Sequence, residues 1–201
     1  MTARNHGDEP ECFISVDIET AGPVPATYAI LSIGACLVDD PDQTFYVELI
    51  PEHTAATSEA LAVTGLSIEE LTRRGERPER AMSMFEDWVL TETPAGHRPV
   101  FTAFNAAFDW MFIADYFERH LGRNPFGHSA LDIKAFAMGS GNTSWRATSM
   151  DVLAARHLGG RALTHNALAD AQDQAELFRH LLDERDSLTE GATATTVTLG
   201  E

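Results

Sequence analysis

The stretch Cys12-Phe13-Ile14-Ser15-Val16-Asp17-Ile18-Glu19-Thr20 is largely apolar and ends in two carboxylates. Side chains alternate between the two faces of a strand, so Asp17 and Glu19 are predicted to project from the same face. Neighbouring carboxylates in an apolar segment repel each other and lose hydration, and a hard cation such as Mg²⁺ or Mn²⁺ removes both penalties. The alternative is a strand end where both carboxylates reach solvent. For an isolated Asp-x-Glu that alternative is favoured.

The composition is typical of one globular domain. The chain has 201 residues, of which 44% are hydrophobic and 22% charged, which is enough for a sizeable core. No apolar run approaches the ~20 residues that span a bilayer, and residues 1–10 lack the apolar region of a signal peptide. We therefore expect a cytoplasmic protein without membrane association, in which Cys12 and Cys36 are reduced core residues.

The formal net charge of −17 restricts the ways in which this chain can bind a polyanion. A protein that coats duplex nucleic acid non-specifically needs a basic footprint, so the charge argues against this class. It does not exclude an enzyme that holds a short nucleic-acid end through metal ions, because the ions supply the positive charge.

The pattern of apolar residues and turns predicts an α/β domain with a mixed central sheet. Residues 12–185 form this domain, between a disordered leader at 1–11 and a disordered tail at 186–201. The predicted strands are 12–18, 28–38, 44–49, 99–104 and 130–133. The predicted helices are 58–63, 67–72, 79–90, 106–120, 149–158 and 166–182.

A second group of candidate residues lies in Phe101-Thr102-Ala103-Phe104-Asn105-Ala106-Ala107-Phe108-Asp109, where a buried strand leads into a helix. Asp109 falls in the first helical turn, where carboxylates are also favoured by free N–H groups and the helix dipole. Asn105 has an alternative role as a helix N-cap, and Phe108 as a core residue.

The third group lies in His165-Asn166-Ala167-Leu168-Ala169-Asp170-Ala171, at the start of the last helix. A histidine on a loop beside a helical carboxylate can take a proton from a water that a metal polarises, and its unperturbed pKa of roughly 6.5 suits that work. The alternatives are a loop histidine without a role for His165 and a solvated helix face for Asp170.

Taken in order, the three groups resemble the three motifs of the DEDDh 3′–5′ exonuclease superfamily. They are Asp17-x-Glu19, Asn105-x-x-Phe108-Asp109 and His165-x-x-x-x-Asp170. The superfamily includes ribonuclease T, oligoribonuclease and the proofreading epsilon subunit of bacterial DNA polymerase III. The resemblance runs from about Phe13 to Leu182, and it implies a ribonuclease H-like fold with helices on both faces of the sheet.

The resemblance also implies a reaction, which is hydrolysis of single-stranded DNA or RNA from the 3′ end with release of nucleoside 5′-monophosphates. Two divalent cations, Mg²⁺ or Mn²⁺, would lie about 3.5–4 Å apart between the carboxylates of Asp17, Glu19, Asp109 and Asp170. His165 would deprotonate the attacking water. The implied substrate-binding residues are Thr20, Asn105 and Phe108, and Thr20 has the alternative role of a turn residue.

The sequence leaves the substrate and the partners open. It has no evident basic substrate-binding segment of the ribonuclease T kind, and it carries an uncommon loop at residues 139–146, whose role the sequence does not give. DNA and RNA are not distinguished. Relatives commonly form homodimers, but no interface is evident here. The rival hypotheses are a nuclease-like subunit that recruits or proofreads for a polymerase or helicase, and a free-standing enzyme that degrades very short RNA.

Overall fold

A five-stranded mixed sheet forms the centre of the protein. The computed structural model describes residues 9–162 and 164–197. The strands are β1 (Glu11–Thr20), β2 (Ile30–Leu37), β3 (Thr44–Glu48), β4 (Arg98–Ala103) and β5 (Ala130–Asp132). Their order is β3-β2-β1-β4-β5. The pairs β1–β2 and β2–β3 are antiparallel, and the pairs β1–β4 and β4–β5 are parallel. This arrangement confirms the predicted mixed sheet.

Helices cover both faces of the sheet. Within the described residues they are α1 (Ser58–Thr64), α2 (Ile68–Arg74), α3 (Pro78–Glu92), α4 (Ala107–Leu121), α5 (Ile133–Ser140), α6 (Met150–His157) and α7 (Ala167–Val197). A 3₁₀ turn, Trp145–Thr148, precedes α6. Helix α5 was not predicted, because Ile133–Ser140 is mostly apolar and shows no clear alternation between a polar and an apolar helix face.

The alternation of side chains along β1 determines which residues enter the core and which face the last helix. Ile14, Val16 and Ile18 belong to the apolar cluster that β1 shares with α3 and α4. On the opposite face, the Ser15 hydroxyl donates a hydrogen bond of 2.8 Å to the carbonyl oxygen of Ala171 in α7. Phe13 packs on this same face, against the cluster that contains Phe178. Asp17 and Glu19 continue this second series by the period of two.

The elements at the two ends of the described chain run past the predicted limits of the domain. Glu11, placed in the leader, pairs with Arg98 as the first residue of β1. The predicted tail begins at residue 186, whereas α7 continues to Val197. Once a helix is anchored by packed turns, each further residue adds one hydrogen bond, so a segment without proline can extend it. Residues 1–8 and 198–201 lie outside the described part of the chain.

Cys12 and Cys36 are buried, free thiols, as the sequence predicts. Among the described residues, no helix is both long and apolar enough to cross a membrane.

Candidate active site

Carboxylates from three distant segments meet near the carboxyl ends of β1 and β4. Asp17 and Glu19 lie near the end of β1, Asp109 lies in the first turn of α4, and Asp170 lies in the first turn of α7. Glu19, Asp109 and Asp170 are only 8%, 4% and 2% exposed. The Ile18 backbone N–H donates to Asp109 Oδ1 at 3.3 Å, which joins the start of α4 to β1. The structure therefore brings together the four carboxylates that the sequence singled out.

Burial and mutual repulsion raise the pKa values of this cluster. Burial raises the pKa of Glu19 to about 7, and the nearby Asp170 carboxylate adds to the shift. Burial likewise raises the pKa of Asp109 to about 8, against the backbone hydrogen bonds that favour its ionised form. The pKa of Asp17 is also well above its usual range, because of burial and then the charges of Asp109, Glu19 and Asp170. Ionised together, these carboxylates are unfavourable without a cation.

The loop before α7 holds Asp170 and presents His165. The backbone N–H and the hydroxyl of Thr164 donate to Asp170 Oδ1 at 2.8 and 3.0 Å, and the His165 N–H donates to Oδ2 at 2.9 Å. His165 adopts a left-handed φ of 55°, and its side chain is exposed. Asn166 caps α7 by accepting from the Ala169 N–H at 3.1 Å. These bonds fix the backbone of His165 relative to Asp170, and so keep this residue beside the carboxylates.

The donor set suits a divalent metal. One possible ligand atom from each of Glu19, His165 and Asp170 lies within 4.8 Å of the other two. Crowded carboxylate oxygens are the ligands of Mg²⁺ and Mn²⁺, and an imidazole is also compatible with Mn²⁺ and related ions. A cation placed here would relieve the repulsion that raises the pKa of Glu19.

Gln174, which the sequence analysis did not single out, holds Asp17 in place. Its Oε1 accepts the Phe104 N–H at 2.8 Å, and its Nε2 donates to Asp17 Oδ1 at 2.7 Å. Because the backbone N–H needs an acceptor, the orientation of the amide is fixed, and the donor faces the carboxylate. Gln174 is 2% exposed. The sequence signal that could have identified Gln174 is its spacing of four residues from Asp170 and from Phe178, because this spacing places all three residues on one helix face.

A glycine in β2 allows α7 to approach the sheet. A Cβ built at Gly34 would lie 2.2 Å from the backbone carbon of Ala167 and from the backbone nitrogen of Leu168. A side chain of any size would therefore push the start of α7 away from the sheet. Asp170 belongs to that first turn, so this close approach also sets the position of a site carboxylate.

The three residues expected to bind substrate differ in their surroundings. The Thr20 hydroxyl donates to the Gly22 carbonyl oxygen at 2.9 Å, and the residue is 6% exposed, which is the geometry of a turn residue. Asn105 is exposed, has a φ of 59° and does not cap α4, whose N-cap position is taken by Ala106. Phe108 is half-buried, with its ring centroid 5.5 Å from that of a core phenylalanine of α4.

Comparison with known proteins gives one family. The model of the 3′–5′ exoribonuclease Rv2179c-like domain matches residues 12–182. The chain is 44% identical over 171 residues to the 3′–5′ DNA exonuclease Cap18 of Escherichia coli, which covers 85% of this chain and 91% of that protein. It is 29% identical over 181 residues to ribonuclease T of Shewanella sp. strain ANA-3, covering 85% of this chain and 81% of that protein.

Solved structures show the same fold at low sequence identity. E. coli exonuclease I in complex with a dT13 oligonucleotide superposes with a TM-score of 0.67 at 17% identity, over 90% of this chain and 43% of that chain. The nuclease domain of 3′hExo, a DEDDh family member bound to rAMP, gives a TM-score of 0.66 at 16% identity, over 92% of this chain and 94% of that chain. These likenesses confirm the predicted ribonuclease H-like fold.

Proposed function

The chain belongs to the family of 3′–5′ exoribonuclease Rv2179c-like domains, within the DEDDh exonucleases, and from that premise we propose how it acts and on what. As a member of this family it is a 3′–5′ exonuclease of nucleic acid. We propose that it removes nucleotides from the 3′ end of a single strand and releases nucleoside 5′-monophosphates. The observation that carries this proposal is the convergence of four carboxylates from three distant segments beside an exposed histidine.

Divalent metal is general for the family, and the proposed holders of two ions, Mg²⁺ or Mn²⁺, are Asp17, Glu19, Asp109 and Asp170. Such ions, when bound, lower the pKa of a coordinated water and stabilise the charge on the leaving oxygen. The protein contributes the fixed positions of its oxygens. Asp109 is tied to the Ile18 N–H, Asp170 to the loop before α7, and Asp17 to the amide of Gln174.

His165 is proposed as the general base that takes the proton of the attacking water. It is exposed, so substrate and water can reach it, and its backbone is fixed by Asp170. The same geometry places an imidazole nitrogen within 4.8 Å of oxygens of Glu19 and Asp170, which would also allow it to bind a metal. A variant that loses rate and keeps metal affinity separates these two roles.

We propose DNA as the polymer. The relative that is 44% identical over 91% of its length is named a DNA exonuclease, whereas the family description names an exoribonuclease. The higher identity over nearly the whole relative supports DNA, and RNA is the alternative that the experiment below compares directly.

Of the three residues expected to bind substrate, we propose a role at the terminal nucleotide for Asn105 and Phe108, but not for Thr20. Asn105 is exposed and Phe108 is half-buried, and they precede Asp109 by four residues and by one residue, so they can reach a nucleotide held there. The Thr20 hydroxyl already donates a hydrogen bond to the Gly22 carbonyl oxygen.

We further propose that the protein acts as a free-standing enzyme in the cytoplasm. The proposal includes no polymerase or helicase partner. Sedimentation velocity tests whether the protein forms the homodimer that is common among its relatives.

The test is digestion of 5′-labelled single-stranded DNA and RNA ladders of the same sequence, side by side, with Mn²⁺, with Mg²⁺ and with EDTA. We expect shortening from the 3′ end with either ion and none with EDTA, with DNA degraded faster than RNA. The Asp109→Asn variant is the control for a contaminating nuclease. A purified, folded protein that degrades neither polymer with Mn²⁺ overturns the proposed activity, and faster digestion of RNA overturns the choice of DNA.

A further inference from the structure

A lysine and a tryptophan lie together at the edge of the sheet where the carboxylates meet. Lys134 is the only lysine in the chain. It lies in the first turn of α5, two residues after Asp132, which ends β5 and pairs with Ala103 of β4. Since β1, β4 and β5 are parallel, their carboxyl ends share one edge of the sheet. The start of α5 is therefore a neighbour of the active site.

The tryptophan is held in place but remains open to solvent. The Lys134 ammonium lies 4.1 Å from the centroid of the Trp145 ring, and Trp145 is still 49% exposed. The loop that carries it is tied to α5, because the Thr143 N–H donates to the Met138 carbonyl oxygen at 3.2 Å. The Thr148 hydroxyl donates to the Trp145 carbonyl oxygen at 2.8 Å and closes the 3₁₀ turn. A large aromatic ring is thus presented on ordered backbone.

Among the described residues, the two cations at this place differ from many of the arginines in the lack of an ion-pair partner. Elsewhere in this acidic chain the arginines commonly pair with carboxylates, as Arg119 does with Glu52 at 2.9 Å and Arg161 does with Asp173 at 2.8 Å. Over the described residues, no ion pair joins Lys134 or the exposed Arg146 to a carboxylate. In a protein of net charge −17, two unpaired cations beside an exposed indole ring are an unusual combination of residues.

We propose that Lys134, Trp145 and Arg146 form a binding rim for the single strand that leads into the active site. A base stacks on the exposed part of the Trp145 ring, and the two cations contact the phosphates on either side of it. Stacking on aromatic rings together with cationic contacts is how proteins hold single strands without reading their sequence. The proposal rests on the proposed exonuclease function and gives the loop at residues 139–146 its role.

The rim makes a prediction that depends on substrate length. A p-nitrophenyl ester of thymidine 5′-monophosphate occupies only the catalytic centre, whereas a longer thymidine oligonucleotide also crosses the rim. Trp145→Ala should lower kcat/KM for the oligonucleotide about tenfold, equivalent to about 1.4 kcal/mol, through a higher KM. It should leave hydrolysis of the ester unchanged. Trp145→Phe, which keeps an aromatic face, should restore most of the loss.

Salt dependence tests the two cations. Each phosphate contact on a single strand contributes about 0.7 to the slope of log affinity against log salt, so Lys134→Gln and Arg146→Gln should each reduce the slope by about that amount. Arg98→Gln is the matched control, because Arg98 begins β4 at the opposite edge of the sheet. Binding is measured by anisotropy with a phosphorothioate oligonucleotide that resists cleavage, and thermal melting verifies that each variant is folded.

These experiments distinguish failure of the proposed exonuclease function from failure of the proposed binding rim. If the wild-type protein hydrolyses neither substrate, the proposed function itself fails. If it hydrolyses both, and folded Trp145→Ala changes both rates equally or neither, the rim does not bind substrate and the Lys134–Trp145 contact is only a local surface interaction. An unchanged salt slope in both cation variants overturns the phosphate contacts.

Discussion

Replacing Glu19 by glutamine should stabilise the metal-free protein while removing its activity. Glu19 is 8% exposed, and burial together with the nearby Asp170 carboxylate raises its pKa from 4.5 to about 7. At pH 8 the folded protein must hold this carboxylate ionised in an unfavourable place. Glutamine has nearly the same shape and no charge, so it removes the repulsion.

The magnitude follows from the pKa. One pKa unit corresponds to 1.36 kcal/mol, so ionising Glu19 at pH 8 costs the folded state about 3 kcal/mol. A buried amide also loses hydration, which reduces the expected gain in the free energy of unfolding to about 2 kcal/mol. For a domain of this size that gain raises Tm by about 4–8 °C.

The gain should depend on pH in a defined direction. Because the pKa of Glu19 is higher in the folded than in the unfolded state, folding takes up a proton between about pH 4.5 and pH 7. The free energy of unfolding of the wild type therefore falls as the pH rises through this window and levels off above it. Glu19→Gln lacks this decline, so the two proteins should melt alike below pH 4.5 and differ most near pH 8.

The assay is thermal melting followed by circular dichroism in EDTA across this pH range, repeated with excess Mn²⁺. The metal should reverse the order, since a ligand at 100 times its Kd adds about 2.7 kcal/mol to the protein that binds it. Glu118→Gln, an exposed position on α4, is the matched control and should not change Tm. A Tm of Glu19→Gln at pH 8 in EDTA that equals or falls below that of the wild type would refute the reasoning, because the carboxylate would then carry no repulsion.

Three further changes separate the roles of other site residues. Asp17→Ala should abolish exonuclease activity and keep the fold, with an equal or higher Tm in EDTA; near wild-type turnover with a normal melting curve would remove Asp17 from the site. His165→Ala should lower kcat by about 10²–10⁴-fold and leave Mn²⁺ affinity in calorimetric titration nearly unchanged, so loss of Mn²⁺ binding would make His165 a ligand instead of the base. Gln174→Met should lower kcat and weaken Mn²⁺ binding because Asp17 loses its donor, and an unchanged Mn²⁺ affinity in the folded variant would count against a positioning role.

Local patterns in the sequence predicted the elements that carry the motifs. The period of two in β1 correctly placed Asp17 and Glu19 on one face. Helix α4 ends at Leu121 before Gly122 in a left-handed conformation, one residue from the predicted end at 120. Helix α5 was missed because its residues are mostly apolar, so no clear polar face marks a helical period. The sequence predicts a tail from residue 186 because the segment is rich in Thr, Gly and Ala, whereas α7 runs to Val197 without a proline to interrupt it.

Contacts between distant segments could not be predicted from the sequence. The bond from Gln174 to Asp17 joins residues 157 positions apart, and no local pattern indicates which buried polar residue of α7 meets which carboxylate. The close approach at Gly34 is equally non-local, since a glycine inside a strand gives no sign of the helix that crosses it. The motifs indicated the proposed metal ligands, whereas the residues that hold these carboxylates in position came only from the structure.

The carboxylates of the site and the residues that hold them in position have opposite effects on the stability of the metal-free protein. Crowding of carboxylates favours separation of α7 from β1, because Asp170 and Asp17 are on opposite sides of that contact. Opposing this are the Ser15 hydroxyl on the Ala171 carbonyl, the backbone contact at Gly34 and the amide of Gln174. None of these contacts needs a metal, so they contribute to holding the cluster together whether or not an ion is bound. The packing of α7 therefore sets the geometry of the proposed cation site, and a bound ion would add its own stabilisation to that geometry.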